Sequence, residues 1–308
     1  MLKTCRSALF IFIFWLGSLA PSHAVEAPGA PALWKAEIGK ATVYLFGTIH
    51  MQKKADMWRP ADLPEAVQRA DVLFLESDVN DKQVEIEVAS FLAENGAYPS
   101  GESLKDHFSS EEIAQILQQT NNIGLPETVA LTMRPWFLSI SLALYSFFSQ
   151  GFDPELGADS LLDEQFRDAD KPVLALEASL APLEIMAAFP ATEEKAMLLQ
   201  SIEQIAIADT YVAALYANWQ IGDLDALNTL LRDPRLVSPE VSKVLIEDRN
   251  RTWMAKILPL GDKEQTVLIA AGAAHFVGDG NLIELISAAG HKVTEINYAS
   301  RDRSSVAE

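Results

Sequence analysis

Thr42-Val43-Tyr44-Leu45-Phe46-Gly47-Thr48-Ile49-His50 is echoed near the other end of the chain by Val267-Leu268-Ile269-Ala270-Ala271-Gly272-Ala273-Ala274-His275. Each is a short, mostly apolar run that ends in a Gly-x-x-His step. Runs of this length without polar alternation suit strands buried on both faces, as in a parallel sheet covered by helices. The glycine allows a close backbone approach where the chain leaves the strand. The histidine then falls just beyond the carboxyl end of the strand, where open α/β sheets place their ligands. A helical pattern and another apolar run follow each step: Leu63 to Ala70 then Val72-Leu73-Phe74-Leu75, and Asn281 to Ala289 then Val293-Thr294-Glu295-Ile296. The sequence therefore predicts a mixed α/β fold with a duplicated strand-GxxH-helix-strand core and a mostly parallel central sheet.

Two further apolar runs end in an acid. Val72 to Leu75 stops at Glu76, and Val173 to Leu176 stops at Glu177. In a parallel sheet the side chains of His50, Glu76, Glu177 and His275 can converge on one edge. Two imidazoles with one or two carboxylates suit a divalent ion such as Zn²⁺, Mn²⁺, Co²⁺ or Fe²⁺, and a coordination position left open to water makes such a site catalytic. The same two acids also read as N-caps or solvated strand ends. Asp78 reads either as an assistant to the metal or as a turn residue. A lone histidine after a strand is ordinarily a packing residue, and the fourfold pattern is what favours a site.

The first residues read as a targeting segment. Lys3 and Arg6 give a positive start, Leu9 to Leu16 an apolar core, and Ser22-His23-Ala24 a small-residue cleavage site. Export to the periplasm or the exterior is expected, with cleavage after Ala24 and no stable membrane span afterwards. The apolar core is shorter than the roughly 20 residues of a span. The only cysteine, Cys5, lies in this segment, so the mature chain has no thiol chemistry. Residues 25–300 read as a single domain and 301–308 as a disordered tail. An apolar share of 49% supports a substantial core. A net charge of -19 argues against nucleic acid, whose phosphates need a basic surface, and favours a peptide or small-molecule substrate.

Between the two histidine steps the chain is largely helical in pattern. Leu33 to Gly39 predicts a short strand beside the first core strand. Met51 to Asp62 is a polar loop able to overhang the site. Pro135 at a first helical turn opens an apolar helix to about Phe148, of core rather than membrane length. Arg134 at its mouth must find an acid or carry function, because a buried unpaired charge is costly; orienting Glu177 or clamping a carboxylate are the two roles that suit it. Residues 181–258 read as a helical cap on the sheet. Arg249 and Arg251 beside Asp248 read mainly as a solvated helix face.

Taken together, these segments resemble the TraB/GumN family, which includes the Tiki-type proteases. The resemblance rests on Gly47-Thr48-Ile49-His50, Leu75-Glu76-Ser77-Asp78, Met133-Arg134-Pro135-Trp136, Asp153-Pro154-Glu155-Leu156-Gly157-Ala158-Asp159, Lys171 to Glu177, Asp248 to Trp253, and Gly272 to Leu282, in that order. It implies a fold similar to erythromycin-esterase and ChaN-type haem-binding proteins, and for some members a metal-dependent hydrolase with peptide cleavage proposed. By motif, His50, Glu76, Arg134 and His275 look like the family's site residues; Glu177 and Arg249-Asn250 match less diagnostic segments. The expected reaction is hydrolysis with a divalent ion (Mn, Co or Zn) on His50, Glu76 and His275, Glu177 or Asp78 as proton acceptor, and Arg134 stabilising the oxyanion. A metal-free esterase with a histidine base, and a haem- or peptide-signal-binding protein without turnover, are the alternatives.

Overall fold

A computed structural model describes residues 29–78, 82–205, 207–233 and 238–298. The segment read as a leader, Lys3 to Ala24, and the 301–308 tail lie outside the described residues. Six strands form one sheet: β1 Leu33–Ile38, β2 Ala41–Thr48, β3 Val72–Leu75, β4 Val173–Ala175, β5 Thr266–Gly272 and β6 Lys292–Glu295. Their order is β4-β3-β5-β2-β1-β6. The β4-β3, β3-β5 and β5-β2 pairs are parallel; β1 is antiparallel to both its neighbours. The expected mostly parallel sheet is present, and each histidine step sits in a strand-helix-strand unit: β2 to β3 through Glu65–Gln68, and β5 to β6 through Leu282–Ala288.

The apolar runs of β2, β3 and β5 fold this way because these strands are buried on both sides, whereas β4 lies at an edge with Leu174 exposed. Tyr44 and Phe46 of β2, Leu73 and Leu75 of β3, and Leu268 and Ala270 of β5 face one core, which they share with Leu162, Phe166, Tyr216 and Trp219. Their odd-even partners Val43, Leu45, Val72, Phe74, Val267 and Ile269 face a second core with Trp253, Ile257, Leu282 and Ile286. A side chain of this size stabilises the fold by roughly 1.5–3 kcal/mol when fully buried, so a strand with no polar alternation is at home only between two layers. β1 pairs with β2 as expected, and Trp34 on it stacks on Phe276 at 5.3 Å.

Helical segments before residue 181 pack with helices after it. A third core joins Leu104, Ile113, Ile116, Leu138 and Leu142 to Leu198 and Ile202. The apolar helix Pro135–Ser149 is therefore shared, with one side on helix Ala191–Ile205 and Phe147, near its carboxyl end, against the first core. Helices Ala208–Ile221 and Leu224–Leu231 follow, divided at Gly222, whose φ of 71° ends the first of them in the left-handed conformation that glycine adopts at little cost. Among the described residues no helix is long and apolar enough to cross a membrane.

Candidate functional site

The sheet order decides what meets. β5 lies between β3 and β2, and β4 flanks β3. The residues leaving the four carboxyl ends are thus Glu177, Glu76, His275 and His50, in that spatial sequence. Thr48 pairs in register with Gly272, and Leu75 with Ala270, so both histidine steps and Glu76 leave the sheet at one level.

Glu76 is the hub. Its Oε1 accepts the Gly272 backbone N–H at 2.6 Å and lies 3.6 Å from His275 Nε2 and 3.8 Å from His50 Nε2. Its Oε2 accepts from Arg249 at 2.6 Å. Each histidine is held through its other nitrogen. His50 Nδ1 meets Asp159 Oδ2 at 3.1 Å. His275 Nδ1 meets Asn250 Oδ1 at 2.6 Å, while Asn250 Nδ2 donates to the carbonyls of His275 (3.3 Å) and Gly280 (3.0 Å). Those two carbonyls fix which way the amide points, so its oxygen faces the ring and His275 carries its proton on Nδ1. Both Nε2 atoms are left facing the same carboxylate oxygen.

The electrostatics separate the two imidazoles. Asp159 draws the His50 pKa up to about 9 against the effect of burial, with Glu76 assisting. The His50 side chain is 59% exposed, so water screens part of that rise. Burial lowers His275 to about 4 despite the nearby Glu76 charge; it is neutral at physiological pH. Burial alone would raise Glu76, but the positive field around it and the Gly272 N–H outweigh that and hold it at about 2. With His275 neutral, His50 and Arg249 supply this field near pH 7.

The structure brings together His50, Glu76, Glu177 and His275, as the strand-end pattern predicts. Arg134 and Asp78 are engaged elsewhere. Arg134 precedes helix Pro135–Ser149, pairs with the buried Glu194 and donates to the Ala187 carbonyl at 2.9 Å, which ties helical segments of the cap to one another. Asp78 pairs with Arg167 at 3.0 Å. The guanidinium on Glu177 belongs to Arg249, only 9% exposed, which donates through Nε at 3.0 Å and a terminal nitrogen at 2.5 Å. Trp253 Nε1 donates to the other Glu177 oxygen at 2.9 Å. Both Glu177 oxygens are thereby filled.

Arg249 and Asn250, which the family resemblance offers only through less diagnostic segments, belong to the arrangement, and so does Asp159, which the sequence leaves without a role. Arg249 and Asn250 begin helix Arg249–Ile257, directly after a π-helical stretch, Lys243–Asp248. Such a stretch shifts the helical register and recurs at functional sites. Here it is followed by Arg249, Asn250, Trp253 and Ile257 on the sheet side, while Arg251 stays exposed with Glu247 and Asp248. Asp159 reaches His50 from the first turn of helix Ala158–Asp168. Gly157 before it lets the chain pass close to His50: a methyl there would fall 2.4 Å from the His50 carbonyl oxygen.

Residues 32–295 match the TraB/PrgY/gumN family. The chain belongs to this family. Among its relatives in the TraB/PrgY/gumN family is the uncharacterized protein YbaP of Escherichia coli (strain K12), 24% identical over 260 residues that cover 80% of this chain and 89% of YbaP. YbaP of Shigella flexneri matches to the same extent. No solved structure matches the chain.

The donor chemistry of this TraB/PrgY/gumN site fits a divalent ion in kind: two imidazole Nε2 atoms and a carboxylate oxygen share one focus, with both Nδ1 atoms held from behind, as metal-binding histidines are. Among the described residues no group of three His, Cys, Asp or Glu side chains is placed so that it could hold a metal ion. A cavity of about 300 Å³ opens beside these groups, lined by Thr48, His50, Glu76, Ser77, Asp159 and Ser160 among others.

Proposed function

We propose that this chain is an exported metal-dependent hydrolase acting on amide bonds of a peptide or small-molecule substrate. One observation carries the reading: His50 Nε2 and His275 Nε2 both face Glu76 Oε1, at 3.8 and 3.6 Å. His50, Glu76 and His275 would hold the ion (Zn²⁺, Mn²⁺ or Co²⁺). When bound, it supplies Lewis acidity and lowers the pKa of water. Asn250 and Asp159 fix the ring planes, a kind of support whose loss typically costs 10- to 100-fold in metal affinity or activity. Arg249 holds Glu76 in place and places positive charge beside the substrate cavity, the part first given to Arg134. Glu177 positions Arg249. Asp159 Oδ1 is buried without a hydrogen-bond partner among the described residues and takes the place of Glu177 and Asp78 as proton acceptor. The leader-like residues before Val25 support export.

A metal-free hydrolase is the second reading, because the Arg249 guanidinium stands 3.4 Å from His275 Nε2 and 2.6 Å from Glu76. That is the position of a cation that steadies an oxyanion while neutral His275 acts as base. Protein purified without a histidine tag and incubated with a mixed peptide library separates the two. Cleavage lost to a chelator and restored by a divalent ion is the expected result. Chelator-insensitive cleavage that His275→Ala abolishes would replace the metal reading with the metal-free one. A Soret band on adding haem, with no cleavage at all, would overturn both.

A further inference from the structure

A second cavity opens beside His50, and its lining includes neither Glu76 nor Asp159. It measures about 320 Å³. Its walls come from helices Pro135–Ser149, Ala208–Ile221 and Leu224–Leu231, through Ile140, Phe147, Leu215, Trp219, Leu227 and Leu231. The one polar atom on that wall, the indole N–H of Trp219, is already donated to the Gly47 carbonyl at 2.8 Å. Where the cavity meets the site stand His50 and Thr48. Thr48 is 2% exposed, its hydroxyl has no hydrogen-bond partner among the described residues, and it lines the polar cavity as well.

We infer that this cavity seats the hydrocarbon chain of an acylated substrate, so that the amide presented at His50 is that of a fatty acyl group. The inference rests on the hydrolase reading and names its substrate class. Three observations favour a hydrocarbon. First, the lining offers no free donor or acceptor away from the Thr48 end, so a peptide backbone drawn inside would leave its N–H and C=O groups unpaired at a cost a methylene chain does not meet. Second, an apolar cavity of about 150 Å³ houses a benzene ring; this one has about twice that volume, room for roughly ten to twelve carbons on the same scale. Third, the rim is apolar: Leu144 lines the cavity and is itself exposed, and Phe148, one turn along the same helix, is exposed too. The unpartnered Thr48 hydroxyl marks the boundary, placed to donate to the acyl carbonyl as it passes from the apolar cavity into the polar one. In the reaction, water adds to the carbonyl carbon and the C–N bond breaks. The amine leaves with a proton from that water, and the fatty acid remains with its chain in the cavity. No oxidant or reductant is needed.

The product is therefore a probe that does not depend on turnover. Saturated fatty acids from hexanoate to palmitate, each below its micelle concentration, are titrated calorimetrically into the full chain. Affinity is expected to rise about fourfold per methylene and to level off near dodecanoate. Ala143→Trp, which projects a ring into the cavity from helix Pro135–Ser149, moves that limit to shorter chains. Thr48→Val, of the same shape without the hydroxyl, weakens binding of the fatty amide while leaving the chain-length limit in place. Affinity independent of chain length, a limit unmoved in A143W, or tighter binding of leucine- and phenylalanine-bearing peptides than of any fatty acid would each overturn the inference. Chain-length-limited binding with no cleavage of fatty amides by metal-loaded protein would instead overturn the hydrolase reading and leave the chain site standing.

Discussion

Gly272 leaves β5 where a side chain would fit only tightly. Its φ of -51° is open to any residue, yet a methyl built on it falls 3.1 Å from Glu76 Oε1 and 3.2 Å from His50 Nε2. Gly272→Ala is therefore expected to part these two groups by a few tenths of an ångström while the backbone stays as it is. Activity should drop by up to about 10²-fold, the scale of loss from a small misplacement of reacting groups, with a stability change below about 1 kcal/mol; kinetics and urea melts on the same preparation check both. His275 yields a second prediction. The unfolded chain binds a proton on this histidine near pH 6.5, whereas the folded chain resists until about 4. Protons are thus taken up on unfolding in that window, and stability falls as pH drops through it. In metal-stripped protein, the urea midpoint of His275→Gln should lose less than that of the parent chain between about pH 7 and about pH 5. Equal losses would contradict a buried neutral His275.

Helix Arg249–Ile257 shows what a chain-local pattern conveys and what it leaves out. The four strand ends were legible because an apolar run without alternation can lie only between two layers, and because a parallel sheet aligns its carboxyl ends. Arg249 was not. Arg249 and Arg251 have the same local company, and only the π-helical register before them and the packing of Trp253 on His275, with ring centroids 4.3 Å apart, send one inward and one out. Arg134 illustrates the converse: its need for an acid was legible, but Glu194 lies on a distant helix that only the tertiary fold brings near. Asp159 closes the Asp153–Asp159 motif, and nothing local to it marks it as the partner of His50. Because Arg249 ties this helix to the ends of both β3 and β4, Arg249→Met should strip buried Glu76 and Glu177 of the guanidinium they share, leaving Glu177 only the Trp253 N–H. The expected cost is about 3–5 kcal/mol, read as a lower urea midpoint; a loss under about 1 kcal/mol would mean that the ion pairs do not hold the helix to the sheet.

At the scale of the whole molecule, a sheet between two apolar layers presents one rigid edge, and a helical cap built on its own core stands over that edge. The polar cavity with Glu76 and Asp159 and the apolar one along the cap helices meet at His50 and Thr48. In the proposed hydrolase, the strands position the reacting groups and the cap helices line the cavity that would select a substrate. The central claim is that His50, Glu76 and His275 act as one binding set. Calorimetric titration of Zn²⁺, Mn²⁺ and Co²⁺ into chelator-stripped protein tests it most directly, with His50→Ala, Glu76→Gln and His275→Ala beside the parent chain. One equivalent of at least one of these ions bound by the parent, and lost in all three variants, is the predicted result. Binding that survives intact in any two of the variants would contradict it.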